Sequence, residues 1–375
     1  MSGIYIHIPY CKVKCDYCDF YSNVNAKGLN NFANLIEKEL SLRKEYLPKG
    51  QINTIYFGGG TPSILTIEQI NTILNAIEKN FSISNDPEIT LEANPDDLSL
   101  DYLKALYAMG INRLSVGVQS FSDIDLKQLG RRHNAEQATS AVTMAHEIGF
   151  ENISIDLIYG LPYSKTSIWK SNLDKAIHLP IKHLSCYHLI YEEGTPLHKK
   201  LISGHVSPIV EDISVEQFEL LQEIAVKNDF IHYEISNLAK EGFFSRHNTS
   251  YWQQVPYLGL GPSAHSYNGT TRVWNPKSTS SWMYGLKMNN INTEVEILTD
   301  RDKLNEYLLT SLRTIWGVDI DYIDKHFGSS TAKRIIGLSQ KFFETGIIER
   351  NGSKFAIKKR HFLISDAIIA DFLDV

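Results

Sequence analysis

Between residues 54 and 190, short apolar runs alternate with stretches of helical period, and few architectures accept that pattern. The runs cover 54–57, 88–93, 113–119, 152–159 and 183–190, and an earlier one holds Ile4, Ile6 and Ile8. Each has strand length and is rich in β-branched and aromatic residues. Among the intervening stretches, 31–47 carries Phe32, Leu35, Ile36 and Leu40 on one helical face. Another opens at Thr66 with Gln69 three residues on, a capping box, and lines up Ile70, Ile73, Leu74 and Ile77. Strands separated by helices of this length join as right-handed β-α-β units in a parallel sheet. Six such units predict an α/β fold of the partial (β/α)6 barrel type, with functional groups at the carboxyl ends of the strands.

The composition sets the class. A chain of 375 residues, 43% hydrophobic and 21% charged, can bury one large core and a smaller satellite. A net charge of −6 argues against a general nucleic-acid binder. No apolar run approaches eighteen residues, and the start of the chain lacks the pattern of a secretory signal, so a cytoplasmic protein is expected.

Three of the four cysteines crowd into one loop. Cys11, Cys15 and Cys18 stand on the spacing C-x3-C-x2-C, just after the first strand and Pro9. Thiolates so close together suit a metal. Three of them can hold three irons of a [4Fe–4S] cube and leave the fourth iron without a protein ligand. A structural zinc is the other reading, with His7 as a fourth ligand. The fourth cysteine, Cys186, lies in an apolar strand and reads as core.

Four further segments place chemistry at predicted strand ends: Gly58-Gly59-Gly60-Thr61-Pro62, Glu92, Gln119 and Asp156. Glycines without Cβ atoms let the backbone approach a ligand and present amides to it, although a tight turn would also use them. Glu92 and Asp156 are carboxylates in apolar strands, which is costly without a partner.

The cysteine spacing, with Tyr17 just before the last cysteine, resembles the radical S-adenosylmethionine (SAM) superfamily. The wider run Y-x-H-I-P-Y-C-x3-C-x-Y-C-x-F, from Tyr5 to Phe20, resembles one branch of it: the oxygen-independent coproporphyrinogen oxidase group and its relatives, the HemW-type haem chaperones. The similarity covers roughly residues 3 to 270 and implies a [4Fe–4S] cluster on Cys11, Cys15 and Cys18. It also implies a SAM site formed by Tyr5, Tyr17, Gly59, Gly60, Thr61, Glu92, Gln119, Arg131 and Asp156. The chemistry it implies is reductive cleavage of a carbon–sulfur bond of SAM, supplied by the cofactors and shielded by the protein. A flavodoxin or ferredoxin would be the electron donor.

Two features separate this chain from the oxidase: Phe20 stands where the oxidase has a further cysteine, and the oxidase's N-terminal extension has no counterpart here. Instead, Arg246-His247-Asn248-Thr249-Ser250-Tyr251-Trp252 matches the H-N-x-x-Y-W motif of the chaperones. This implies b-type haem on His247, with Tyr251 and Trp252 as flat apolar surface, and a haem-accepting partner such as a respiratory haem protein. His265 is a second candidate ligand. Three readings follow: a haem chaperone on a radical SAM scaffold, an oxygen-independent coproporphyrinogen III dehydrogenase, and a zinc-stabilised binding module. Whether a chaperone of this kind cleaves SAM is left open.

The expected organisation is a core barrel at 1–270, a linker at 271–299 and a mainly helical, winged-helix-like unit at 300–375 with a hairpin around Asn351-Gly352. From residue 301 onward twelve Lys and Arg face ten Asp and Glu, so this last unit reads as a cover or partner surface, not a DNA binder.

Overall fold

A computed structural model describes residues 1–162 and 164–374. Its first strand shows why the sheet forms. In β1 (Ser2–Ile8) the side chains of Ile4, Ile6 and Ile8 are fully buried on one face, and Tyr5 and His7 point to the other, so both faces are covered. The chain then alternates as predicted: α1 (Phe32–Arg43), β2 (Gln51–Gly59), α2 (Ile67–Asn80), β3 (Ser82–Ala93), α3 (Leu100–Ala108) and β4 (Arg113–Gln119). It continues with α4 (Asp123–Gln128), α5 (Ala135–Ile148), β5 (Asn152–Tyr159), α6 (Thr166–His178) and β6 (His183–His188). The Thr66–Gln69 capping box is present, and Ile70, Ile73, Leu74 and Ile77 are buried beneath α2.

Strands β1 to β6 lie side by side in sequence order, all parallel, which is the expected partial (β/α)6 barrel. After α7 (Pro196–Ile202) and α8 (Glu211–Lys227), β7 (Ile231–His232) and β8 (Asn237–Ala239) extend the β6 edge antiparallel. The chain then crosses through α9 (Arg246–Trp252) to the other side of the sheet, where β9 (Tyr257–Leu260) pairs parallel with β1.

One expectation is corrected here. Residues 271–299 are not a linker: with β10 (His265–Tyr267), β11 (Thr271–Trp274) and β12 (Glu294–Ile297) continue the same sheet antiparallel to twelve strands, and α10 (Thr279–Lys287) lies between the last two. The strands are only four residues long, and the polar run from Asn275 to Ser281 hides their pattern. Asn275, Thr279 and Trp282 in that stretch are buried.

The remaining chain forms α11 (Asp300–Leu312), β13 (Val318–Asp319), α12 (Ile320–Phe327), α13 (Ser329–Glu344), the hairpin β14 (Ile348–Asn351) and β15 (Lys354–Ile357), and α14 (Ser365–Ala370). Gly352 takes the left-handed φ of 62° that the Asn-Gly turn needs. Val375, the end of the predicted third unit, lies outside the described residues.

Candidate functional site

The cysteine loop is pinned where the six parallel strands end. Cys11 N–H donates to Asn23 O and Asn23 N–H to Pro9 O, closing the loop at its base. Lys12 reaches Asp97 at 2.6 Å, Asp16 N–H donates to Leu129 O, and Lys200 meets Asp16 at 2.6 Å. These ties fix a loop that has no regular structure of its own.

Beneath it opens a cavity of about 470 Å³. Its wall holds all three cysteines and Tyr17, Gly59, Gly60, Thr61, Glu92, Gln119, Arg131 and Asp156, so eleven of the twelve residues expected at the cluster and SAM site share one space. Tyr5 is the exception. Its ring packs inside the barrel under Gly58, where a Cβ would lie 2.9 Å from it, and its hydroxyl is 3.1 Å from His7 Nδ1. The alternation of β1 sends Tyr5 into the barrel below the glycine loop, so it supports that loop from beneath.

The glycines act by close approach. A Cβ on Gly60 would sit 2.9 Å from Cys11 Sγ and 2.7 Å from Tyr10 O, distances no side chain tolerates. The expectation that this loop offers amides to a ligand is corrected. Gly59 N–H donates to Glu92 Oε2 (3.2 Å), Gly60 N–H to Ile8 O (2.8 Å) and Thr61 N–H to Tyr10 O (2.9 Å), so all three amides are committed to the fold.

Each carboxylate has partners within the wall. Glu92 Oε1 accepts from the Tyr56 hydroxyl at 2.7 Å, and Asp156 Oδ1 accepts from Ser115 at 3.3 Å. Burial raises the Glu92 carboxyl to about 7 against the pull of the Tyr56 hydrogen bond, and Asp156 beside it pushes the same way. Asp156 is itself raised, chiefly by burial. Gln119 ends β4 with φ of 67°, a conformation costly for a residue with a Cβ. It lies where the β4–β5 register shifts, which turns its side chain toward the cavity.

Sequence reasoning passed over several members of the wall. Asn94 accepts from Arg131 Nη2 at 2.6 Å, and Gly117 O accepts from the same nitrogen at 2.7 Å, which aims the guanidinium at Cys15. Asn94 sits two residues after Glu92 in Leu-Glu-Ala-Asn-Pro, so its place at a strand end was a usable signal. Arg113 is only 1% exposed inside the barrel, and its Nε and Nη1 have no hydrogen-bond partner among the described residues. No local pattern marks it.

The H-N-x-x-Y-W segment is elsewhere. It forms α9, capped by Ser245 and by Glu88, whose carboxylate accepts from Arg246 N–H and His247 N–H. His247 is turned into the barrel and is 1% exposed. Both ring nitrogens are engaged, Nδ1 with Thr54 Oγ1 and Nε2 with the Tyr251 hydroxyl, each at 2.8 Å. Burial holds the imidazole neutral, down to about 3. His265 instead lies on β10 against Trp274. Cys186 is buried in β6, as its apolar run predicts.

Residues 5–171 match the Radical SAM superfamily. The whole chain is 31% identical to the heme chaperone HemW of Bacillus subtilis, over 100% of this chain and 99% of that one. It is 34% identical to the heme chaperone HemW of Lactococcus lactis over 88% of this chain and 86% of the other. The chain belongs to the HemW family of radical SAM proteins. Its fold is that of the Escherichia coli coproporphyrinogen III oxidase HemN, with a TM-score of 0.86 and 22% identity over 99% of this chain and 89% of that one.

Membership of the radical SAM superfamily implies a [4Fe–4S] cluster and SAM, and the cavity wall fits them. Thr61 Oγ1 donates to Cys11 Sγ and Arg131 Nη1 to Cys15 Sγ, each at 3.3 Å, the kind of hydrogen bond that stabilises and tunes ligating sulfur. His7, the fourth ligand of the zinc alternative, has its two ring nitrogens engaged by the Tyr5 hydroxyl and Tyr21 O. No helix among the described residues is long and apolar enough to cross a membrane.

Proposed function

We propose that this member of the HemW family is a haem chaperone: it binds a [4Fe–4S] cluster through Cys11, Cys15 and Cys18, SAM beside it, and haem, which it passes to an acceptor protein. The observation that carries the reading is full-length similarity to relatives named heme chaperones, together with the H-N-x-x-Y-W segment on α9. In the cavity, Glu92 offers a carboxylate to the amino group of SAM and the glycine loop admits it closely. Gln119, Arg131, Asp156 and Tyr17 complete that wall. When bound, the cluster supplies one-electron reduction and SAM the carbon–sulfur bond it can break, with a flavodoxin or ferredoxin as donor.

Haem is assigned to His247. Ligation through Nε2 requires the bond to Tyr251 to open, and ligation through Nδ1 the bond to Thr54, so haem binding carries a movement of α9 or of the His247 ring. Burial already keeps the imidazole in the neutral form that ligates iron.

The test is made with anaerobically reconstituted full-length protein. The expected results are saturable haem binding, transfer of that haem to an apo acceptor, and no conversion of coproporphyrinogen III when SAM and a reductant are added. A Soret spectrum or affinity unchanged in His247→Ala would move the ligand to another residue, His265 first. Turnover of coproporphyrinogen III would restore the dehydrogenase reading.

A further inference from the structure

Between the cavity and α9 the barrel interior holds an unbroken file of rings. His247 stacks on Tyr56 with centroids 4.8 Å apart and planes 24° apart, and Tyr56 in turn donates its hydroxyl to Glu92 Oε1 at 2.7 Å. Tyr56 thus touches both the carboxylate in the cavity wall and the histidine of the H-N-x-x-Y-W segment. We infer that Tyr56 is a positioning residue that couples the two sites, so that SAM held at Glu92 and haem ligated by His247 weaken each other's binding.

The inference rests on the proposed function and specifies how its two ligands interact. A cationic amino group on Glu92 favours the ionised carboxylate, which is the stronger acceptor and holds the Tyr56 hydroxyl more firmly. Tyr56 kept in place keeps its ring against His247. Ligation of iron pulls in the opposite direction, because either ring nitrogen must abandon Thr54 or Tyr251 and the imidazole must leave its stack. The interior transmits the shift because it is close packed around these rings: a Cβ on Gly58 would already meet Tyr56 at 2.8 Å, and one on Gly3 would meet Thr54 at 2.7 Å. Charged or titratable groups that also bear on Glu92 include Asp156, Arg113, Tyr5, Tyr187 and Tyr251, and Tyr5 lies beside the same stack at 6.3 Å from His247.

The experiment titrates haem into cluster-reconstituted protein without reductant, with and without saturating SAM. SAM is expected to weaken haem binding on the order of tenfold in the native chain, and haem to weaken SAM binding by the same factor, as linkage requires. In Tyr56→Phe, which keeps the ring and removes only the hydroxyl, the coupling should fall below about twofold. Thr54→Val is a second variant: it frees His247 Nδ1 without touching Glu92 and should raise haem affinity several-fold. Haem affinity indifferent to SAM in the native chain, or coupling that persists in Tyr56→Phe, overturns the inference and leaves the proposed function standing. A native chain that binds no SAM or no haem overturns the proposed function itself.

Discussion

Two buried glutamates belong to regions built on opposite principles. Glu39 on α1 is 0% exposed and is enclosed by donors: Gly261 N–H and Trp282 Nε1 at 2.8 Å, Asn275 Nδ2 at 2.6 Å and Arg43 at 3.4 Å. Those partners come from α1, the loop after β9, the β11–α10 connection and α10, so the node fastens the outer strands to the barrel. Glu92 has two donors and faces a cavity. A carboxylate whose oxygens are fully engaged holds the fold together, whereas one left part-satisfied beside an open space, near a strained Gln119, is arranged for something else to bind.

The largest effect separates the regions outright. Replacing Cys11, Cys15 or Cys18 by Ser should abolish the iron–sulfur absorption of reconstituted protein and leave the far-UV circular dichroism unchanged, since the loop is pinned by Lys12–Asp97 and Lys200–Asp16 as well. Next, Glu39→Ala should lower the unfolding free energy by about 3–5 kcal/mol in denaturant titrations, because it removes the buried carboxylate that faces Arg43 and takes the acceptor from Gly261 N–H and Trp282 Nε1. SAM affinity of the folded fraction should stay within about twofold. A loss of stability near zero would erase the distinction drawn between the two glutamates.

Glu92→Ala should reverse that profile. SAM binding by calorimetry should weaken by roughly 2–5 kcal/mol, the cost of removing one partner of a buried charged pair, and thermal stability without ligand should hold or rise. The pH dependence gives a smaller and sharper test. The ordinary Glu92 value of 4.5 applies to the unfolded chain and about 7 to the folded one, so between those values the unfolded state has lost a proton that the folded state retains. Stability without ligand therefore falls as pH rises from 4.5 to 7 and levels off above. Glu92→Gln should remove this component and gain on the native chain by on the order of 1–2 kcal/mol between pH 5 and pH 8. SAM affinity of the native chain should rise over the same window as the carboxylate ionises. The smallest effect belongs to a glycine far from either region: Gly352→Ala should cost about 1 kcal/mol through its left-handed φ of 62°, with no change at the cavity.

The contrast also explains what could be read in advance. Cys11, Cys15, Cys18, the glycine loop, Glu92 and Asp156 stand at strand ends or in a dense motif, and parallel sheets bring strand ends together, so local pattern sufficed to gather them. Glu39 sits in an ordinary amphipathic helix, and what makes it structural is contact with Gly261, Asn275 and Trp282, more than two hundred residues away. Strands β11 and β12 were missed for a related reason, since four-residue strands draw their identity from the sheet edge they extend. The motif around His247 was legible as a motif, but its direction was not. Only the fold shows that the ring faces inward with both nitrogens engaged.

The place of β1 in the sheet has a consequence for how the molecule is made. It precedes the other strands of the sheet in chain order, yet it lies in the interior of the sheet, between β2 and β9. Its second edge stays unpaired until residues 257–260 have been synthesised. Contacts of such long sequence separation are slow to form and leave intermediates with a bare edge. Until Lys200 has been synthesised, the cysteine loop attached to the end of β1 also lacks its tie to that residue. The nascent chain thus passes through a stage in which three thiols are displayed on an incomplete barrel, open to iron–sulfur delivery and to oxidation alike, before translation of the second half closes the cage around them.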